Sequence, residues 1–132
     1  MKSTILGFFS VTMLAFSVSQ SANAADVVVI SNAEITISAS EIKDVFLGEK
    51  QFSGSTKLVV IDNRSMQDDF LAKFIKIDAT KYNSIWTKKS FRDGLNPPAV
   101  KSSDAEVIEF VKRTPGAVGY VSGSPSGVNI AR

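Results

Sequence analysis

From residue 25 onward the chain alternates short, uninterrupted apolar runs with longer stretches in which apolar residues recur every three or four positions. The runs at 27–30 (Val-Val-Val-Ile), 58–61 (Leu-Val-Val-Ile) and 117–121 (Ala-Val-Gly-Tyr-Val) are short and rich in β-branched residues. They predict strands covered on both faces. A turn at Pro125-Ser126-Gly127 leads into a last short strand at 128–130. Four helical patterns lie between the strands. Ser38 and Glu41 form a capping box ahead of Ile42, Val45 and Phe46, and Gly48 supplies a left-handed stop. Ser65 is expected to cap a second helix with Phe70, Leu71, Phe74 and Ile75 on one face. Tyr82, Ile85 and Trp86 mark a third helix over about 81–89, and Ser103 with Glu106 opens a fourth with Val107, Phe110 and Val111 inward. Strands separated by helices predict an α/β domain whose central, mostly parallel sheet has about four strands. Its expected core is Val28, Ile30, Ile42, Val45, Phe46, Val59, Ile61, Phe70, Phe74, Trp86, Val107, Phe110, Val118 and Tyr120.

Residues 1–24 stand outside this pattern and are expected to be an export signal. Lys2 gives the positive start, 5–18 the apolar stretch and Ala22-Asn23-Ala24 the cleavage site. A membrane anchor needs roughly 20 apolar residues. Cleavage after Ala24 is therefore predicted, leaving one domain over 25–132 and no anchor. An exported chain without Cys rests on its apolar core and suits a bacterial periplasm. With neither Cys nor His, and with scattered carboxylates, neither a metal site nor a cofactor is expected. Removing Lys2 from the 15 basic residues leaves 14 against 13 acidic ones, so no nucleic-acid partner is expected.

The start of the second helix is the sharpest place for chemistry. Backbone N–H groups there lack helical partners and face the end of a strand, where open α/β sheets bind ligands. Arg64 adds a two-pronged donor, so Arg64 and Ser65 form a candidate oxyanion site. The same dipeptide also reads as a helix cap beside a solvated arginine. Ser102 and Ser103 offer a second helix start directed at the same cleft, and capping alone also explains them. Lys88, Lys89 and Arg92 cluster beside Trp86 and Phe91, either as an anion-facing or partner-facing patch or as cations complementing a helix end. Asp68 and Asp69 are adjacent on a helix and point about 100° apart, so they cannot flank one bond. Without His, Cys or a Ser beside an evident base, no nucleophilic triad is available and a non-enzyme is expected.

Two segments carry a resemblance to a known family. The Ser-capped helix ending in Phe46-Leu47-Gly48 and the later Pro115-Gly116-Ala117-Val118-Gly119-Tyr120-Val121 resemble, in the same order, segments of the periplasmic phosphate-binding proteins of bacterial ABC transporters. The similarity runs over roughly 27–121. Full-length relatives have two lobes with the anion held between them, so the resemblance implies one lobe of a type 2 periplasmic-binding-protein-like fold. In that family the second lobe supplies an Arg, an Asp and a Ser-Gly-Thr loop at a helix start. The corresponding stretch here keeps Asp62, Arg64 and Ser65 without the glycine-rich loop. The resemblance implies weak binding of a small oxyanion such as phosphate by Arg64, Ser65 and Asp62, with Ser103 joining from the fourth helix start. It also implies a periplasmic location, with an ABC transporter or a second copy of the chain as partner. A function of another class stands beside it, an accessory module for protein–protein interaction that has lost solute binding.

Overall fold

The computed structural model describes residues 26–132, and the expected export signal lies outside them. The chain begins with β1 (Val27–Ser31), a 3-10 turn (Ala39–Glu41) and α1 (Ile42–Phe46). A small hairpin of β2 (Phe52–Ser53) and β3 (Thr56–Lys57) follows, then β4 (Val59–Asn63) and α2 (Gln67–Phe70), which continues as a π-helical stretch (Leu71–Ile75). The remainder is α3 (Ala79–Asp93), β5 (Ala99–Lys101), α4 (Asp104–Arg113), β6 (Ala117–Ser122) and β7 (Asn129–Ile130). Among the described residues, no helix is long and apolar enough to cross a membrane.

The central sheet has five strands in the order β5-β4-β6-β1-β7. β4 pairs parallel with β5 and β6, whereas β1 runs antiparallel to β6 and β7. Four of the five strands thus point the same way, which makes the sheet mixed and mostly parallel. β1 alone is reversed. A run buried on both faces reads the same in either direction, so its pattern carried no sign of this. The added strand is β5, formed just after Pro97-Pro98.

Alternation along the strands sorts the core into two layers. Val27, Val29, Val118 and Tyr120 point towards α1, α2 and α3. Ile30, Ile61, Ala117 and Val121 point the other way, towards Val107 and Val111 of α4. In the first layer Phe70 stacks parallel on Tyr120 with ring centroids 3.9 Å apart, and Phe46 tilts against Phe70 at 4.6 Å. In the second, a Cβ at Gly119 would sit 2.8 Å from Val107 Cγ1 and 3.0 Å from Ile61 Cγ1. A residue without a side chain is what lets α4 lie close on the sheet.

Several expectations need correction. Val59 is 36% exposed, because β5 begins pairing only at Ile61 and leaves the first turn of β4 uncovered on one side. Val28, Phe74 and Phe110 are only partly buried. The third helix starts earlier and ends later than 81–89: Asp78 Oδ1 accepts the N–H of Lys81 at 2.8 Å and caps it at Ala79.

Candidate functional site

β4, β5 and β6 end at the same edge of the sheet, with Asn63 opposite Lys101 and Ser122 closing β6. The Arg64 N–H donates to Lys101 O at 2.9 Å, which carries the ladder one step past the strand. Ser65 then turns the chain. Its N–H and its hydroxyl both donate to Asn63 Oδ1, at 3.1 and 2.6 Å. The expected Ser65 cap is therefore absent: α2 begins after Met66, and no side chain caps it. Asn63, two residues upstream, competes for the serine and wins, as Asn does in side-chain-closed turns.

The expected Ser103 cap is present. Its hydroxyl accepts the Glu106 N–H at 3.4 Å, while the Glu106 carboxylate accepts the Ser102 N–H at 3.0 Å. Asp104, the first residue of α4, fills the space between the strand ends. One of its oxygens accepts Asn63 Nδ2–H at 2.7 Å, and the other accepts the N–H and hydroxyl of Ser122. Asn63 Nδ2 also donates to Tyr120 O at 3.0 Å. A single buried amide thus ties β4, β6, α4 and the Ser65 turn together. It also means that the donors of Asn63 and Ser122 already serve an internal carboxylate.

Asp62 belongs to the other layer. It is 2% exposed, and its carboxylate accepts the hydroxyls of Tyr120 (2.9 Å) and Tyr82 (3.1 and 3.2 Å). Burial pushes its pKa up to about 6, against the lowering effect of the Tyr120 and Tyr82 hydrogen bonds. Burial and the neighbouring Asp62 carboxylate push both phenols up as well. Asp62 thus holds α3 and β6 to β4 and is engaged with neither Arg64 nor Ser65.

Of the four residues singled out from the sequence, the strand edge brings together Arg64, Ser65 and Ser103, the last two through Asn63 and Asp104. Arg64 is exposed, and its guanidinium makes no hydrogen bond or ion pair among the described residues. Lys101, also at this edge, lays its ammonium over the Phe110 ring at 4.8 Å. Sequence reasoning missed Asn63, Lys101, Asp104 and Ser122. An Asn directly after an apolar run and two residues before a Ser is a turn signal for Asn63, whereas the roles of Asp104 and Ser122 depend on tertiary contact alone. Among the described residues no cluster of three His, Cys, Asp or Glu side chains is placed to hold a metal ion.

The edge therefore offers an anion one free guanidinium, the hydroxyl of Ser102 and an uncapped helix start, whereas the Ser65 hydroxyl is already given to Asn63. It also presents a carboxylate, Asp104, that an anion must tolerate.

No protein-family profile and no curated protein matches this sequence. Solved structures do match the fold. PstS from Borrelia burgdorferi superposes with a TM-score of 0.57 at 20% identity, over 80% of this chain and 46% of that one. A protein from Clostridium perfringens assigned as a phosphate ABC transporter substrate-binding protein, solved with bound phosphate, gives 0.61 at 13% identity over 81% and 44%. An ABC-type phosphate transport receptor from Vibrio cholerae gives 0.51 at 11% identity over 81% and 45%. At these identities the likeness is one of fold, and the chain spans less than half the length of each of those structures.

Proposed function

We propose that this chain is a solute-binding-like lobe that takes a small oxyanion, with phosphate as the reference ligand, at the shared end of β4, β5 and β6. The observation that carries the reading is the exposed, unpartnered Arg64 guanidinium at the end of a parallel strand, within a fold shared with a phosphate-bound structure. Arg64 supplies the charged, two-pronged contact. Ser65 and Ser103 border the same edge, and α2 starts without a side-chain cap three residues after Arg64. Asp62 serves this site indirectly, by fixing the strand that delivers Arg64.

Binding is weak in this reading, for two physical reasons. One lobe leaves the ion open to water, and Asp104 already holds the donors of Asn63 and Ser122. The lobe acts as a binder and not as a catalyst, in the periplasm after removal of residues 1–24, and serves a phosphate ABC transporter or a pair of copies that rebuilds a two-sided cleft. Support for these steps comes from the absence of His and Cys, the leader-like first residues and the likeness in fold.

Calorimetric titration with phosphate and with sulfate tests the proposal. Heat is expected with millimolar ligand, lost in Arg64→Ala and largely retained in Ser65→Ala, whose hydroxyl is committed to Asn63. No heat at any concentration, or equal heat in Arg64→Ala, would refute it.

A further inference from the structure

Phe91 is 93% exposed, whereas most other aromatic residues among the described ones are buried. It lies in the last turn of α3, beside the loop that carries Pro97 and Pro98 back to β5. Two concavities meet there and share Trp86 and Pro97. One, of about 210 Å³, runs inward between α1 and the start of β4, with Val45, Leu58 and Pro98 among its walls. The other, of about 650 Å³, is open and runs along α3 past Phe91, with Asn83, Thr87 and Ser90 on its helix side. Neither is lined by Arg64, Ser65, Lys101 or Ser103: the inner one borders Leu58 and Val60, where β4 begins, and the open one lies along α3.

The rim is basic. Lys50, Lys89 and Arg92 are neutralised by Glu41, Glu49 and Asp93. Lys57, which lines the inner concavity, and Lys88, one helical turn before Phe91, make no ion pair among the described residues. The local surplus is positive.

We propose that the Trp86–Pro97 groove with the projecting Phe91 is a docking surface for an acidic segment of another protein that carries a bulky apolar anchor. The inner part has room for one large side chain, against Val45, Leu58, Trp86 and Leu95 on its apolar walls, with Lys50, Gln51 and Lys57 beside them. The open part alternates apolar Trp86, Phe91 and Pro97 with the uncharged hydrogen-bonding side chains of Asn83, Thr87 and Ser90, a lining suited to a polypeptide backbone. The free ammonium groups of Lys57 and Lys88 select acidic flanks. A lipid surface fits less well: a membrane-lying helix presents a continuous apolar stripe, and Phe91 has polar neighbours on its own face of α3. This surface stands independently of the oxyanion reading.

The test is selection of a random peptide library displayed on phage against the purified protein, followed by fluorescence anisotropy with a synthetic representative. Enriched peptides should be acidic and contain an aromatic or large aliphatic residue. Their affinity should fall about tenfold or more in Phe91→Ser, as for an aromatic hot spot, and severalfold in Lys57→Glu and Lys88→Glu. The thermal midpoint of Phe91→Ser should match that of the parent, because the ring packs on almost nothing, so loss of binding is not loss of fold. Absence of enrichment, enrichment of basic or neutral peptides, or binding indifferent to Phe91→Ser would overturn the proposal. Phe91-dependent sedimentation with phosphatidylglycerol vesicles in place of peptide binding would overturn it in favour of a membrane.

Discussion

Asp62 and Asn63 are neighbours in sequence, yet the end of β4 sends them into opposite layers with opposite consequences. Asp62 enters the aromatic layer, where two phenols are its hydrogen-bond donors and burial weighs against its charge. Asn63 enters the α4 side, where one neutral amide serves Ser65, Tyr120 and Asp104 at once. The first residue is a structural clamp that titrates. The second organises an edge that remains open to solvent at Arg64. The lesson is that a strand's two-residue period, more than residue type, decides which polar group can meet a ligand.

The largest expected effect lies on the aromatic side. Phe70 is fully buried and stacked on Tyr120, which holds Asp62. Phe70→Ala should cost about 3–5 kcal/mol in urea unfolding, through lost transfer energy and the cavity left behind. A cost near zero would mean that the layer around Asp62 is loosely packed.

Titration of Asp62 is the next largest effect. Its folded pKa of about 6 lies above the ordinary 3.8, so the folded chain binds this proton more tightly than the unfolded chain does. Stability from this group therefore rises as pH falls through about 6 and levels off below about 4. The gain is on the order of 2–3 kcal/mol, at 1.36 kcal/mol per pKa unit. Thermal or urea melts of the parent minus those of Asp62→Asn should isolate it. A difference that is flat between pH 7 and 4, or of the opposite sign, would remove the account of Asp62 as a carboxylate penalised by burial.

On the α4 side, Asn63→Ala should cost about 1–3 kcal/mol, because it strips the Tyr120 carbonyl and the Asp104 carboxylate of a buried donor. Backbone amide shifts at Ser65 and Ser122 should move together in that variant, since the amide links them through one knot. Independent behaviour of the two would show that Asn63 is not the organiser.

Much of this architecture was legible in the sequence. Apolar runs located β1, β4 and β6, and the Ser103-to-Glu106 box placed the start of α4 where the hydrogen bonds now show it. The misses share a physical cause. Ser65 had the right residue type for a cap, but a stronger local competitor, Asn63, stood two positions away. β5 has three residues, two of them exposed, and no periodicity to betray it. The partners of Asp62 lie 20 and 58 residues away, so nothing local could announce its burial, although its position at the end of an apolar run hinted that the strand continued. At the candidate site, the placement of Arg64 after a strand and of Ser103 at a helix start followed from local pattern. Asp104 and Ser122 were invisible because tertiary pairing alone gives them a role.

The smallest structural effect belongs to Arg64, and the central claim rests on it. An exposed, unpaired arginine should contribute at most about 0.5 kcal/mol to folding, so Arg64→Ala should melt like the parent. The most direct measurement is a two-dimensional ¹⁵N–¹H NMR titration of the labelled protein with phosphate, run in parallel on Arg64→Ala. The account predicts saturable shifts, with a Kd on the order of 1 mM, confined to the backbone from Arg64 to Asp69 and around Lys101 to Glu106, and their disappearance in the variant. Shifts centred on Trp86 and Phe91, shifts that persist without Arg64, or no shifts at all would contradict it.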